Sequence, residues 1–232
     1  MTRNRIILFA ALGVLVAAAL GTAVFLFSRN GEPAANGGAG MVTTGATPPA
    51  TGISGPVRVE GIAERSLGNP DAPVTIIEYS SLTCPHCAAF HRETLPQLKA
   101  AYIDTGKARL IYRDFPFDQA GVAAAVLARC APEERYFSFL DVLFSRQEQW
   151  LSANDPMAAL QQIGAQGGVS PAAFQNCLQN EDIINAVLSN RLGGAEEYQV
   201  QATPTFIIGA DKIVGSQPFD AFAEVIDRQL GN

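Results

Sequence analysis

Val74-Thr75-Ile76-Ile77-Glu78-Tyr79, then Cys84-Pro85-His86-Cys87, then Ala88 to Leu98, is the stretch whose reading decides the fold. The first run is β-branched and apolar and has the length of a buried strand, while the last has the composition and period of a helix. The two cysteines therefore fall at a strand-to-helix turn, with Cys84 near the first turn of the helix. Thiols two residues apart form a small, reversible disulfide, and the Pro85-His86 pair between them helps set how oxidising it is.

Working outward, Gly68-Asn69-Pro70-Asp71-Ala72-Pro73 reads as the turn that delivers this strand, in a folded part that begins near Arg58. Thr105-Gly106-Lys107 ends the helical pattern, and Ala108 to Arg113 alternates as a second strand. Strand, helix and strand make a βαβ unit with parallel strands. From Asp118 to about Gln199 the pattern is helical: 120–130, 132–150, 156–163, 171–178 and 182–198, with Pro132, Pro156 and Pro171 at first-turn positions. Strand character returns at Thr205 to Gly209 and Lys212 to Val214, before a last helix from Phe219 to Leu230. An α/β sheet begun before the helical run and completed after it encloses an insertion of about 80 residues, larger than any usual loop.

The chain has 232 residues, enough for one good-sized domain with an insertion, and a net charge of −6. With no Lys/Arg block, nucleic acid is excluded as a partner. Ile6 to Phe27 is an apolar run long enough to span a bilayer, and Arg3 and Arg5 precede it, so the remainder is expected to be exported. The alternative, a cleaved signal peptide ending among Ala17, Ala18, Ala19 and Ala23, exports the same domain. The following stretch is rich in Gly, Ala, Pro and Thr and reads as a flexible tether. The expected organisation is a membrane anchor or signal peptide (1–29), a tether (30–57), a sheet domain in two parts (58–117 and 200–232) and the helical insertion (118–199).

At a helix start, unpaired backbone N–H groups and the positive end of the dipole favour the thiolate of Cys84. Cys87, one turn inside, is shielded. Cys84 is thus the candidate attacking thiol and Cys87 the resolving one in thiol–disulfide exchange. An imidazole at His86 is expected to add to thiolate stability, and whatever stabilises the reduced form makes the disulfide a stronger oxidant. A structural bridge would close a tiny loop and stabilise little. A zinc site needs four ligands, and only His91 lies nearby, where it reads as an exposed or half-buried helix face. No metal and no cofactor other than the Cys84–Cys87 disulfide are expected.

Glu78 stands out in its apolar strand. A carboxylate there must be paired, hydrated or protonated, and it is placed to relay a proton to Cys87, unless it faces solvent at a strand edge. Thr203-Pro204 opens the returning strand, where a proline without a donor is tolerated. Cys130 and Cys177 read as a structural disulfide whose loop of 47 residues is worth about 4 kcal/mol. A second redox centre and free buried thiols are the alternatives.

Glu78 to Cys87, the helical insertion and Val200-Gln201-Ala202-Thr203-Pro204-Thr205-Phe206 together resemble the DsbA-like thiol:disulfide oxidoreductases of the bacterial cell envelope, over residues 58 to 231. The resemblance implies a thioredoxin fold interrupted by a helical domain, Pro204 in the cis form opposite the active-site disulfide, and Glu78 as a buried acid. It implies newly exported cysteine-containing proteins as substrates, a DsbB-like membrane oxidase as partner, and a periplasmic or envelope location. Thr203 before the proline also resembles disulfide isomerases, so an isomerase or reductase is the alternative on the same fold. A thiol metal-binding module is the alternative of another class. With no oligomerisation stalk before the domain, a monomer is expected.

Overall fold

The computed structural model describes residues 63–231. The anchor or signal at Ile6–Phe27 and the tether lie outside the described residues. The parallel pair expected around the cysteine motif is present: β2 (Val74–Ser80) and β3 (Ala108–Asp114) run side by side from Val74↔Ala108 to Ser80↔Asp114. β1 (Arg65–Leu67) is antiparallel to β3, β4 (Thr205–Ile208) is antiparallel to β2, and β5 (Asp211–Val214) is antiparallel to β4. The sheet order is β1-β3-β2-β4-β5, which puts β2 at the centre. This is a thioredoxin fold with a mixed sheet, flanking helices and a helical insertion.

Helix α1 (Pro85–Glu93) leads to α2 (Leu95–Leu98) and a π-helical turn (Lys99–Ile103). The expected single helix is broken at Thr94 because Pro96 has no N–H to give to the preceding turn. The insertion comprises α3 (Gln119–Cys130), α4 (Tyr136–Ser145), α5 (Gln147–Leu151), α6 (Pro156–Gln166), α7 (Pro171–Leu178) and α8 (Glu181–Glu197), and α9 (Phe219–Leu230) closes the chain. Side-chain caps start four of these helices: Asp118 accepts from Gly121 N–H, Asp155 from Ala158, Ser170 from Ala173, and Asn180 from Asp182 and Ile183. Pro156 and Pro171 occupy first helical positions as expected.

A second expectation is corrected. The run 132–150 is not one helix: Pro132 is extended (φ −50°, ψ 144°) ahead of a 3₁₀ turn, and a second break falls at Arg146. There the Trp150 indole donates to the Leu143 carbonyl at 2.9 Å, tying α5 back onto α4. The strand at Arg65–Leu67 was not expected, because three residues with a charge and a serine carry no alternation to read.

One face of the sheet is graded along its strands. Ile76, Leu110, Phe206 and Ile208 are fully buried there, packed with Phe90, Leu98, Phe222 and Ile226 from α1, α2 and α9. Further along the same face of β2 and β3 come Glu78 and Ser80, Tyr112 and Asp114, under the helices of the insertion. On the opposite face Tyr79 packs with Phe115, Val200 and Ile207. Gly194 lets α8 approach closely: a Cβ there would lie 2.5 Å from the Tyr79 ring.

Cys130 at the end of α3 and Cys177 in α7 form a disulfide, with Cα atoms 6.0 Å apart. Replacing both by Ala is expected to lower unfolding stability by up to about 4 kcal/mol, read from urea denaturation, because the bridge closes a long loop of the unfolded chain. Cys84 alkylation should keep its rate in that variant.

Candidate active site

Cys84 caps α1 in extended conformation (φ −86°, ψ 120°), and Pro85 takes the first helical position, where a missing N–H costs nothing. Cys84 and Cys87 are both thiols; Cys84 is half-buried and Cys87 is fully buried. The loop ahead of Cys84 is pinned from the insertion. Gln147 Nε2 donates to the carbonyls of Leu82 (2.8 Å) and Cys84 (2.9 Å), and the Thr83 hydroxyl donates to Asp118 at 2.9 Å. The Thr203–Pro204 peptide is cis, and Cys84 Sγ donates to the Thr203 carbonyl at 3.3 Å.

The two sulfurs differ sharply in acidity. Cys84 is lowered to about 5: its thiolate accepts from the Cys87 thiol first, then from the Thr203 hydroxyl and the backbone N–H groups of Cys87 and His86, against an opposing contribution from partial burial. The Thr203 hydroxyl is buried and has no partner while Cys84 is a thiol, so it is free to donate once the sulfur ionises. Cys87 is pushed far above the ordinary thiol range by burial, then by donating to Cys84 and by repulsion from its charge, with Ser80 and Ser81 opposing.

Beneath Cys87 the sheet presents a buried polar floor. Register pairs Glu78 with Tyr112 and Ser80 with Asp114, all on one face. Glu78 Oε1 bonds His91 Nε2 at 3.0 Å, and both side chains are buried. The His91 ring stacks on Phe144 with centroids 4.1 Å apart. Asp114 accepts from Arg129 Nε at 2.6 Å, and the guanidinium lies over the Tyr136 ring at 5.6 Å. Among the described residues no group of three or more His, Cys, Asp or Glu side chains is placed to hold a metal ion.

Residues 61–228 match the thioredoxin family. A chain of Rickettsia conorii classed by inference as a protein-disulfide oxidoreductase is 34% identical over 165 residues, covering 71% of this chain and 59% of the relative. The crystal structure of Wolbachia pipientis alpha-DsbA1 is 34% identical and superposes with a TM-score of 0.67, covering 72% of this chain and 91% of that one. The chain belongs to the DsbA-like branch of the thioredoxin superfamily. A protein-disulfide isomerase from Novosphingobium aromaticivorans, 24% identical, shares the fold with a TM-score of 0.63, covering 73% of this chain and 98% of that one. The chain spans about three-fifths of the length of the Rickettsia relative (59%).

Within this DsbA-like site, Cys84, Cys87, Thr203 and Pro204 converge, and Glu78 lies on the buried floor below. Pro85 and His86 are exposed, and what His86 gives the Cys84 thiolate is its backbone N–H. Cys130 and Cys177 are bonded to each other, joining α3 to α7. The expectation of His91 on an exposed or half-buried helix face is wrong: it is 7% exposed and paired with Glu78. The i, i+4 spacing of Cys87 and His91 was the available signal, since it puts them on one helix face. Gln147 was missed without any such signal, because its partners are 65 and 63 residues away in sequence.

Alkylation of the reduced protein by iodoacetamide is expected to show a Cys84 inflection near pH 5, from the lowered acidity of about 5. The folded acidity lies below that of an unfolded thiol. The dithiol form is therefore stabilised in full above the ordinary thiol range, and it loses this stabilisation as pH falls through about 5. Thr203→Val removes a donor to the thiolate and should move the inflection upward; an unchanged inflection would show that the hydroxyl does not serve Cys84.

Proposed function

We propose that the chain is an exported thiol:disulfide oxidoreductase that introduces disulfides into proteins of the bacterial cell envelope. In this reading residues 1–29 anchor or export it, 30–57 tether it, and Cys84–Cys87 is the redox-active disulfide. The observation that carries the reading is the contrast between an accessible, strongly acidified Cys84 and a buried, weakly acidic Cys87 one helical turn away. A stabilised Cys84 thiolate is a good leaving group and favours the reduced state of the protein, so the disulfide form acts as an oxidant.

A substrate thiolate attacks Cys84, the Cys84–Cys87 bond breaks, and Cys87 leaves as a thiolate that takes up a proton. A second substrate thiolate attacks the substrate sulfur of the mixed disulfide, and Cys84 leaves as its stable thiolate. Two substrate thiols are oxidised and the active-site disulfide is reduced. Thr203 and Pro204 form the wall opposite Cys84, and the Thr203 carbonyl is within hydrogen-bonding reach of the sulfur. Glu78 is the buried acid below Cys87. Re-oxidation then returns the dithiol to the disulfide, a step assigned to a membrane oxidase of the DsbB type.

The test supplies the oxidised protein to a reduced multi-cysteine protein and, separately, to a scrambled one. Fast oxidation without unscrambling is expected, with loss of oxidation in Cys84→Ser; in Cys87→Ser the Cys84 thiolate should attack a disulfide of the scrambled protein and the resulting mixed disulfide should accumulate. Efficient unscrambling with slow oxidation would assign an isomerase. Stoichiometric zinc or copper on Cys84 and Cys87 without exchange activity would assign a metal-binding module.

A further inference from the structure

Between α4 and α6 the helical insertion holds a cavity of about 300 Å³, and none of the residues placed around Cys84 lines it. Phe139, Val142 and Ile163 give it an apolar floor, while Arg135 and Arg146, both exposed, stand at its mouth. Residues 135, 139, 142 and 146 follow the i, i+4, i+7, i+11 rhythm of a single helix face, so the sequence itself puts a cation at each end of an apolar stripe. At the far wall a Cβ on Gly167 would lie 2.2 Å from the Phe139 ring, so only glycine lets that ring lie where it forms the floor.

About 16 Å of helix rise separates Arg135 from Arg146, yet their guanidinium groups converge on neighbouring residues. Arg135 Nη1 donates to the Gly167 carbonyl at 2.7 Å, and Arg146 Nη1 donates to Gln166 Oε1 at 2.9 Å. Helix α6 ends there, and a helix C-terminus attracts cations. Capping accounts for one of them and not for both. The carbonyls of Ile163, Gly164 and Ala165 are already bonded within the terminal turn, by the N–H groups of Gly167, Gly168 and Val169, and Arg146 reaches a neutral amide. Neither arginine has a carboxylate partner among the described residues, and no acidic side chain lines the cavity. In a chain of net charge −6, two unpaired guanidinium groups over an apolar floor are complementary to an anion with an apolar body.

We propose that this cavity binds a small carboxylate with an apolar tail, of the medium-chain fatty acid kind. The tail lies on Phe139, Val142 and Ile163, and the carboxylate sits between the two guanidinium groups, whose planar N–H pairs match its two oxygens. A carboxylate fits better than a phosphate dianion because it brings only one charge to strip of water over an apolar floor. The volume lies at the lower end of the range for small-molecule sites, which suits a short tail and not a whole membrane lipid.

The test uses the full-length protein and octanoate carrying a diazirine in its chain, with the label mapped after irradiation by proteolysis and mass spectrometry. Label is expected on the α4 and α6 segments that hold Phe139, Val142 and Ile163. Unlabelled octanoate should suppress it at a concentration at least tenfold lower than octanol, which has the tail without the charge, or acetate, which has the charge without the tail. Replacing both arginines, Arg135→Gln with Arg146→Gln, should cut labelling at least tenfold. Val142→Phe fills the cavity, leaves both arginines in place and should cut labelling as far, which keeps the test decisive if the double variant does not fold. Cys84 alkylation at the wild-type rate shows that a variant is folded. Label placed only elsewhere, such as beside Phe117 and Leu188, equal competition by octanol, or undiminished labelling in the folded variants would overturn the proposal. Disulfide exchange at Cys84 is untouched by any of these outcomes, so the proposed function stands or falls separately.

Discussion

Unequal solvation of two sulfurs one helical turn apart is the constraint on which the rest of the site depends. A cysteine at the N-cap and another three residues on lie on the same side of a helix, and the end of that helix is also the edge of the protein. Cys84 therefore meets solvent and unpaired N–H groups while Cys87 meets the core. Burial charges the second sulfur heavily for ionising, so a negative charge shared between them settles on the first. In the proposed function the same placement gives direction to the chemistry. Charge left on Cys84 after reduction is held by the Thr203 hydroxyl and two backbone N–H groups, and none of these is available to a sulfur already bonded to its partner.

Such an arrangement makes demands on the sheet behind it. A buried thiol that must gain and lose a proton needs a polar route in a region where polar atoms are expensive. β2 and β3 change character along one face, from Ile76 and Leu110, through Glu78 and Tyr112, to Ser80 and Asp114. The apolar end anchors α1 and α9, and the polar end lies under Cys87. Half of each strand therefore serves packing and half serves the site, within seven residues.

Which parts of this were readable in the sequence follows from the range of the interactions. The parallel pair, the helix starts at Pro156 and Pro171 and the returning strands depend on local pattern, and the local pattern predicts them. Cys84 at the helix start was legible for the same reason. The break at Thr94 is marked by Pro96, but the apolar period runs through that position and hides it. The break at Arg146 is accompanied by Trp150 reaching back to Leu143, and the support of the Cys84 loop depends on Gln147 reaching across from α5. His91 shows the limit most clearly: alone it reads as a surface histidine, and only the register that brings Glu78 beneath α1 makes it part of a buried pair.

The helical insertion belongs to the site as much as the sheet does. Removing it would leave Leu82 and Cys84 without the amide that fixes their carbonyls, Thr83 without Asp118, His91 without the ring it stacks on, and Asp114 without Arg129. These contacts come from α3, α4, α5 and the loop that begins α3, so a shift of the insertion as a unit would disturb the Cys84 loop and the polar floor together. The disulfide from α3 to α7 and the close packing of α8 on Tyr79 through Gly194 limit such a shift from two sides. Their influence on the two sulfurs is thus indirect but physical: they hold in place the elements that keep one sulfur solvated and the other dry.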